Sequence, residues 1–128
     1  MANSTVNILE RLGTILEIPD LGGEDWDLIF ANPDRVVEFC AVYQHGSLSA
    51  AEKTALMQLI VASYDRYLSE RTVDGGIQAR VLSLLEHDFT LHRPTIEYWA
   101  RAMFSDQEKC WAVTPIMRKM LLNRRGEA

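Results

Sequence analysis

The side chains best able to exchange a proton near neutral pH are His45, His87 and His92, and each has polar neighbours that suggest a reaction. Glu86 and Asp88 flank His87, so a carboxylate stands beside an imidazole, the raw material of acid/base catalysis. Consecutive residues on a helix do not face one another, however, and polar residues are ordinary near a helix end. A small helical enzyme using His87 and Glu86 is therefore kept as one alternative, and no catalytic residue is assigned. His87 and His92 stand five residues apart, on different faces of any continuous helix, whereas zinc ligands on one helix converge at i and i+4. No metal site is expected. His45-Gly46-Ser47 pairs a base with a hydroxyl but lacks the Gly-x-Ser-x-Gly turn that exposes a nucleophilic serine between strand and helix, so it reads as a turn. Gly22-Gly23 and Gly75-Gly76 lack the spacing and the lysine of a phosphate loop, so each reads as a linker or helix start, and no cofactor is expected. Tyr64 with Tyr67, and Tyr98 with Trp99, are able to line a small-molecule pocket, although aromatics on apolar helical faces belong first to a core. Cys40 and Cys110 sit inside apolar helical patterns and read as small buried hydrophobes.

Helices must position these residues, and their starts are plainly written. Ser49 and Glu52 have capping-box spacing ahead of an apolar run, and Ser105 with Glu108 repeats it. Asn32-Pro33 and Thr114-Pro115 each place a capping side chain before a proline suited to the first helical position. Leu9, Leu12, Ile15 and Leu16 make a stripe that predicts a helix near residues 4–17, followed by a loop over Ile18–Gly23. A short helix is predicted over 25–31 and another over 33–44, or one helix bent at Asn32-Pro33. The segment from Ser49 to about Glu70 is apolar on all but a narrow stripe through Thr54, Gln58, Ala62, Asp65 and Ser69, so it belongs at the centre of the domain. Ile77, Val81, Leu84 and Leu85 mark the next helix, ending near Phe89. Arg93-Pro94 then opens one carrying Ile96, Trp99, Ala100 and Met103, and the last runs are Asp106–Ala112 and Pro115 to about Asn123. No segment alternates as a half-buried strand would. The expected class is all-α: a single domain over 1–128, an irregular helical bundle of about six or seven helices. Near-even helix starts at Asp25, Ser49 and Asp74 also allow HEAT-like stacked helical pairs, without any residue-level repeat.

A chain of 128 residues, 48% hydrophobic and 24% charged, has material for one core and enough charge to keep it in water. No apolar run approaches the eighteen or so residues needed to cross a bilayer, and Met1–Asn7 lacks a signal-peptide pattern. The expected location is the cytoplasm, with no membrane partner.

Charge is polarised along the chain. Residues 17–38 hold seven acids, Glu17, Asp20, Glu24, Asp25, Asp27, Asp34 and Glu38, against the single base Arg35, so they carry six net negative charges where the whole chain carries −5. The segment 118–128 has Arg118, Lys119, Arg124 and Arg125 against Glu127, a net of +3 that suits the negative end of a final helix. An otherwise acidic surface repels phosphates, so no direct nucleic-acid contact is expected. The acidic stretch is either a solvated loop or a docking surface, and Glu24, Asp25, Trp26, Asp27, Phe30, Asp34 and Glu38 are the expected contact residues for a basic protein, with Trp26 also a candidate for the core. The expected function is a small acidic cytoplasmic protein-binding domain, in the manner of a bacterial immunity protein or antitoxin that neutralises a basic toxic enzyme such as a nuclease. The alternative from a second class is a helical scaffold or adapter that takes its partner in an apolar groove.

Overall fold

In a computed structural model, residues 5–101 and 111–127 are described. Among them the chain forms seven α-helices and no strand: α1 (Thr5–Leu16), α2 (Trp26–Ile29), α3 (Val36–His45), α4 (Ala50–Glu70), α5 (Gly75–His87), α6 (Phe89–Ala100) and α7 (Thr114–Glu127), with a 3₁₀ turn at Pro33–Arg35. The sequence expectation of an all-α bundle therefore stands. None of these helices is long and apolar enough to cross a membrane.

The Ser49 capping box forms as its spacing predicts. The Ser49 hydroxyl accepts from the Glu52 amide at 3.1 Å, and the Glu52 carboxylate accepts from the Ser49 amide at 2.9 Å. The helix it starts, α4, buries Leu56, Met57, Leu59, Ile60, Val61, Ala62, Tyr64 and Tyr67, and packs against α1, α2, α3, α5 and α6. An almost all-round apolar helix needs such enclosure, since each exposed apolar side chain would forfeit about 1.5–3 kcal/mol of burial.

Polar groups on α4 tie the surrounding elements to it. Glu52, only 5% exposed, takes a forked pair of hydrogen bonds from Arg11 of α1 at 3.0 and 2.9 Å. Ser63 accepts from the Asn32 amide at 3.0 Å. Asp65 accepts from the Val113 amide at 2.9 Å, so a carboxylate of the central helix satisfies a donor at the start of α7.

Four expectations need correction or restriction. The region 25–44 is not one bent helix: α2 is a single turn, Phe30–Asn32 is non-helical, and the Asn32 side chain caps a 3₁₀ turn by accepting from the Asp34 amide before α3 begins. The helix assigned to start at Arg93-Pro94 starts at Phe89 and carries Pro94 inside it, because the break falls at Asp88 and a proline near the exposed start of a helix forfeits only one backbone bond. Thr114 does not cap the last helix with its hydroxyl, which accepts from the Trp111 amide and donates to the Trp99 carbonyl, fastening α7 to the end of α6. The Ser105–Glu108 capping box, the Asp106–Ala112 run, Met103 and Cys110 lie outside the described residues, apart from Trp111 and Ala112.

Glu52 serves the α4 cap and the Arg11 clamp together, so Glu52→Ala is expected to lower stability by about 2–3 kcal/mol in urea denaturation. Glu70→Ala, which removes an exposed pairing with Arg66, is expected to change it by less than about 0.5 kcal/mol.

Candidate functional site

The first helix ends in a way that shapes the surface beside it. The Ile18 amide donates to the Gly13 carbonyl at 2.8 Å and the Glu17 amide to the Thr14 carbonyl at 3.3 Å, the paired bonds of a Schellman motif. That motif demands a left-handed residue at its penultimate position, and Glu17 fills it with φ 59°, where glycine is usual. The chain then folds back over α1. A Cβ on Gly13 would sit 2.8 Å from the Ile18 carbonyl oxygen, so the missing side chain is what permits this close return. Asp20 and Asp25 are also left-handed, at φ 61° and 53°.

Between α1 and this returning loop lies an open groove of about 1190 Å³. Buried Leu9 and Leu21 and half-buried Ile18 and Trp26 make its floor, and the exposed carboxylates Glu10, Glu17 and Asp20 stand along it. None of these three, nor exposed Glu24 and Asp25, forms an ion pair among the described residues. Arg35 lies within electrostatic reach of Glu17 but spends its hydrogen bonds on the Leu16 carbonyl and Glu38.

The acids expected to act together are thus divided. Glu38 is held by Arg35 at 2.8 Å, and Asp34 by Arg71 at 2.9 Å. Both pairs are solvent-exposed and add little stability, but Arg35 spends the one positive charge of the stretch on Glu38, and Arg71 cancels Asp34 from outside it. Asp27 turns away from the groove into a crevice between α4 and α6, where burial raises its carboxyl above the usual range against two backbone hydrogen bonds. Trp26 and Phe30 are half-buried against the core, while Leu28 and Ile29 beside them are exposed. Of the seven expected contact residues, only Trp26 lines the groove, with Glu24 and Asp25 exposed between it and the groove's Gly23. Glu10, Glu17 and Asp20 are additions that the expected set left out, although two of them lay inside the acidic stretch.

The histidines part company in the same way. His87 ends α5, exposed, while Glu86 turns to Arg124 at 3.3 Å and Asp88 turns to Tyr43. His45 is exposed at the end of α3. Only His92 is buried, with Nε2 at 2.6 Å from the Tyr43 hydroxyl, which in turn lies 2.7 Å from the Asp88 carboxylate. Tyr43 has one proton to give. Asp88 is held below the usual carboxylate range first by its bond from Tyr43, so it is an ionised acceptor and receives the tyrosine's hydrogen bond. The Nε2 atom of His92 then carries its own proton and donates to the tyrosine oxygen, leaving Nδ1 buried without a partner among the described residues. Burial pushes the imidazole below its ordinary value, opposed by Asp88 and reinforced by Lys53, whose ammonium sits 5.6 Å from the Tyr43 ring. This closed network joins α3, α4 and α6.

Other candidate chemistry falls into place as structure. Tyr64 and Tyr67 stack in the core and bond Gln78 and the Thr72 carbonyl. Cys40 is fully buried and its thiol is pushed up to about 11 by desolvation. In the basic tail, Arg118 donates to the last carbonyl of α6, Ala100, at 2.8 Å. Among the described residues, no three His, Cys, Asp or Glu side chains converge as metal ligands. No family model, no curated protein and no solved structure matches the chain. A functional reading therefore rests on the geometry.

Two expectations follow. His92 has a lowered folded value, so the unfolded state binds its proton first, and stability should fall as pH drops below about 6.5, by no more than about 1.4 kcal/mol per pH unit. In His92→Gln that loss should disappear between about pH 6.5 and 5, read by urea denaturation across the range. Glu17→Gly, by relieving the left-handed strain, is expected to raise stability by about 0.5–1 kcal/mol, read as a higher thermal midpoint.

Proposed function

We propose that the chain is a protein-binding domain that receives a basic partner in the groove between α1 and the returning loop. Leu9, Leu21 and Trp26 supply an apolar seat, and Glu10, Glu17 and Asp20 supply charge around it. The observation that carries this reading is the contrast between these carboxylates, which form no ion pair among the described residues, and Asp34 and Glu38, each of which has its own arginine. Exposed charge with no internal partner contributes nothing to the fold and creates a field that steers a cation inward, while a partly buried aromatic offers an anchor. Glu24 and Asp25 extend that field. The backbone strain at Glu17, Asp20 and Asp25 supports the same reading, because strained positions persist where the surrounding structure over-determines them and they gather at functional sites.

Within this reading, the partner is a basic enzyme, and a nuclease is the chemical class that fits best, since its phosphate-binding surface is the positive counterpart of an acidic groove. The chain then acts by occlusion, as a cytoplasmic immunity protein or antitoxin does in bacteria. The apolar floor favours a second reading, an adapter that binds mainly by burying surface. Salt separates the two, since steering between exposed charges is screened within about 10 Å at 0.1 M salt.

The test captures a partner from native-cell lysate, purifies it and measures its affinity by calorimetry at two salt concentrations. Reversal of Glu10, Glu17 and Asp20 to lysine is expected to weaken binding by at least about tenfold. Reversal of Asp34 and Glu38 should have a much smaller effect. Equal effects of both sets would remove the groove from the mechanism, and affinity insensitive to salt would favour the adapter.

A further inference from the structure

Next to Asp27 the chain makes a second, smaller recess, of about 270 Å³, between α2, α4 and α6. Asp27 enters it from α2, Thr54 and Gln58 from α4, and Thr95, Tyr98 and Trp99 from α6, with Leu91 and Pro94 of α6 adding apolar surface. Asp27 is partly withdrawn from water, and no basic side chain among the described residues pairs with it. The backbone amides of Asp27 and Leu28 favour its charged form, and no side chain among the described residues donates to it, which leaves acceptor capacity free. Tyr98 is 54% exposed and stands edge-on to Trp99, with ring centroids 5.6 Å apart, so an aromatic wall opens toward solvent next to the acid. A carboxylate, an aromatic wall and three neutral polar groups in one recess match a cation with several directed donors and a flat shape. The volume sits below that of ordinary small-molecule pockets and suits one side chain.

We infer that this recess is an anchor pocket for a single arginine side chain of the basic partner, its guanidinium set against Asp27 and Tyr98. The inference rests on the protein-binding reading above and adds a second, separate contact to it. A planar guanidinium is preferred to an ammonium because it can donate to the carboxylate and to the Gln58 carbonyl while stacking on the tyrosine.

The probe is N-butylguanidinium, with neutral N-butylurea as its isostere, titrated into the intact protein and followed by amide and aromatic NMR shifts. Butylguanidinium is expected to saturate with a Kd on the order of a millimolar, with shifts at Thr54, Gln58, Thr95 and Tyr98. Asp27→Asn, which keeps the shape and the acceptor for the backbone, should weaken it at least about tenfold. Tyr98→Ala, at an exposed position, should weaken it about threefold. Butylurea binding as well as the cation, or shifts confined to Glu17 and Asp20, would overturn the pocket. So would an unchanged affinity of Asp27→Asn for the captured partner. That last outcome leaves the groove intact, because the groove is judged by reversal at Glu10, Glu17 and Asp20, none of which lines the recess.

Discussion

Everything in this molecule is arranged around a helix that has almost no face to show to water. With Leu56, Met57, Leu59, Ile60, Val61 and Tyr64 each fully buried, α4 requires neighbours on nearly every side, and five other helices supply them. Burial on that scale also draws in polar groups, and a buried polar group without a partner costs about 1–3 kcal/mol. Three of those that enter with α4 have become fastenings. Glu52 holds α1 through Arg11, Ser63 holds the turn at Asn32, and Asp65 holds the start of α7. The enclosure that excludes water thus also sets where the outer elements can lie.

The surface consequences follow from how the outer elements are anchored. Arg66 bonds the Ala31 carbonyl at 2.9 Å and Arg71 bonds Asp34, so the far half of the acidic stretch is fastened to the end of α4 by arginines. The near half is positioned by backbone instead. Its shape comes from the Schellman ending of α1, the bare Cα of Gly13 and a run of left-handed residues, none of which needs a cation. One contiguous block of acids therefore splits into a neutralised part and a charged part, and α2 turns Asp27 away from both. The groove lined by Trp26 and the recess entered by Asp27 inherit different chemistry from this division: an open, multiply charged surface in one, and a small pocket with one carboxylate and an aromatic wall in the other.

The elements that read correctly from sequence are those whose signals are local. The Ser49 box closes over three residues, the Asp74 side chain caps α5 by bonding the Gly76 amide two residues away, and of the stripe Leu9, Leu12, Ile15 and Leu16 all but Ile15, which is exposed, are buried. Misreadings came where a local signal had a distant competitor. Thr114-Pro115 has the form of a helix cap, yet its hydroxyl is drawn to Trp99, fifteen residues back. Arg93-Pro94 has the form of a helix start, yet the chain breaks at Asp88, beside a carboxylate already committed to Tyr43. His92 did carry a usable signal, since its spacing to Ile96 and Trp99 places it on a buried stripe. Nothing in the neighbourhood of His92 pointed to Tyr43.

Helix class, the central place of α4 and the concentration of negative charge before residue 39 were present in the chain order alone, because helix periodicity, capping and net charge are properties of neighbouring residues. Which carboxylates remain free is a different kind of fact. The partners that decide it are remote: 41 residues separate Arg11 from Glu52, 37 separate Arg71 from Asp34, and 49 separate Tyr43 from His92. A charge is neutralised by whatever lies within a few ångströms of it, and that proximity exists only once the helices have packed.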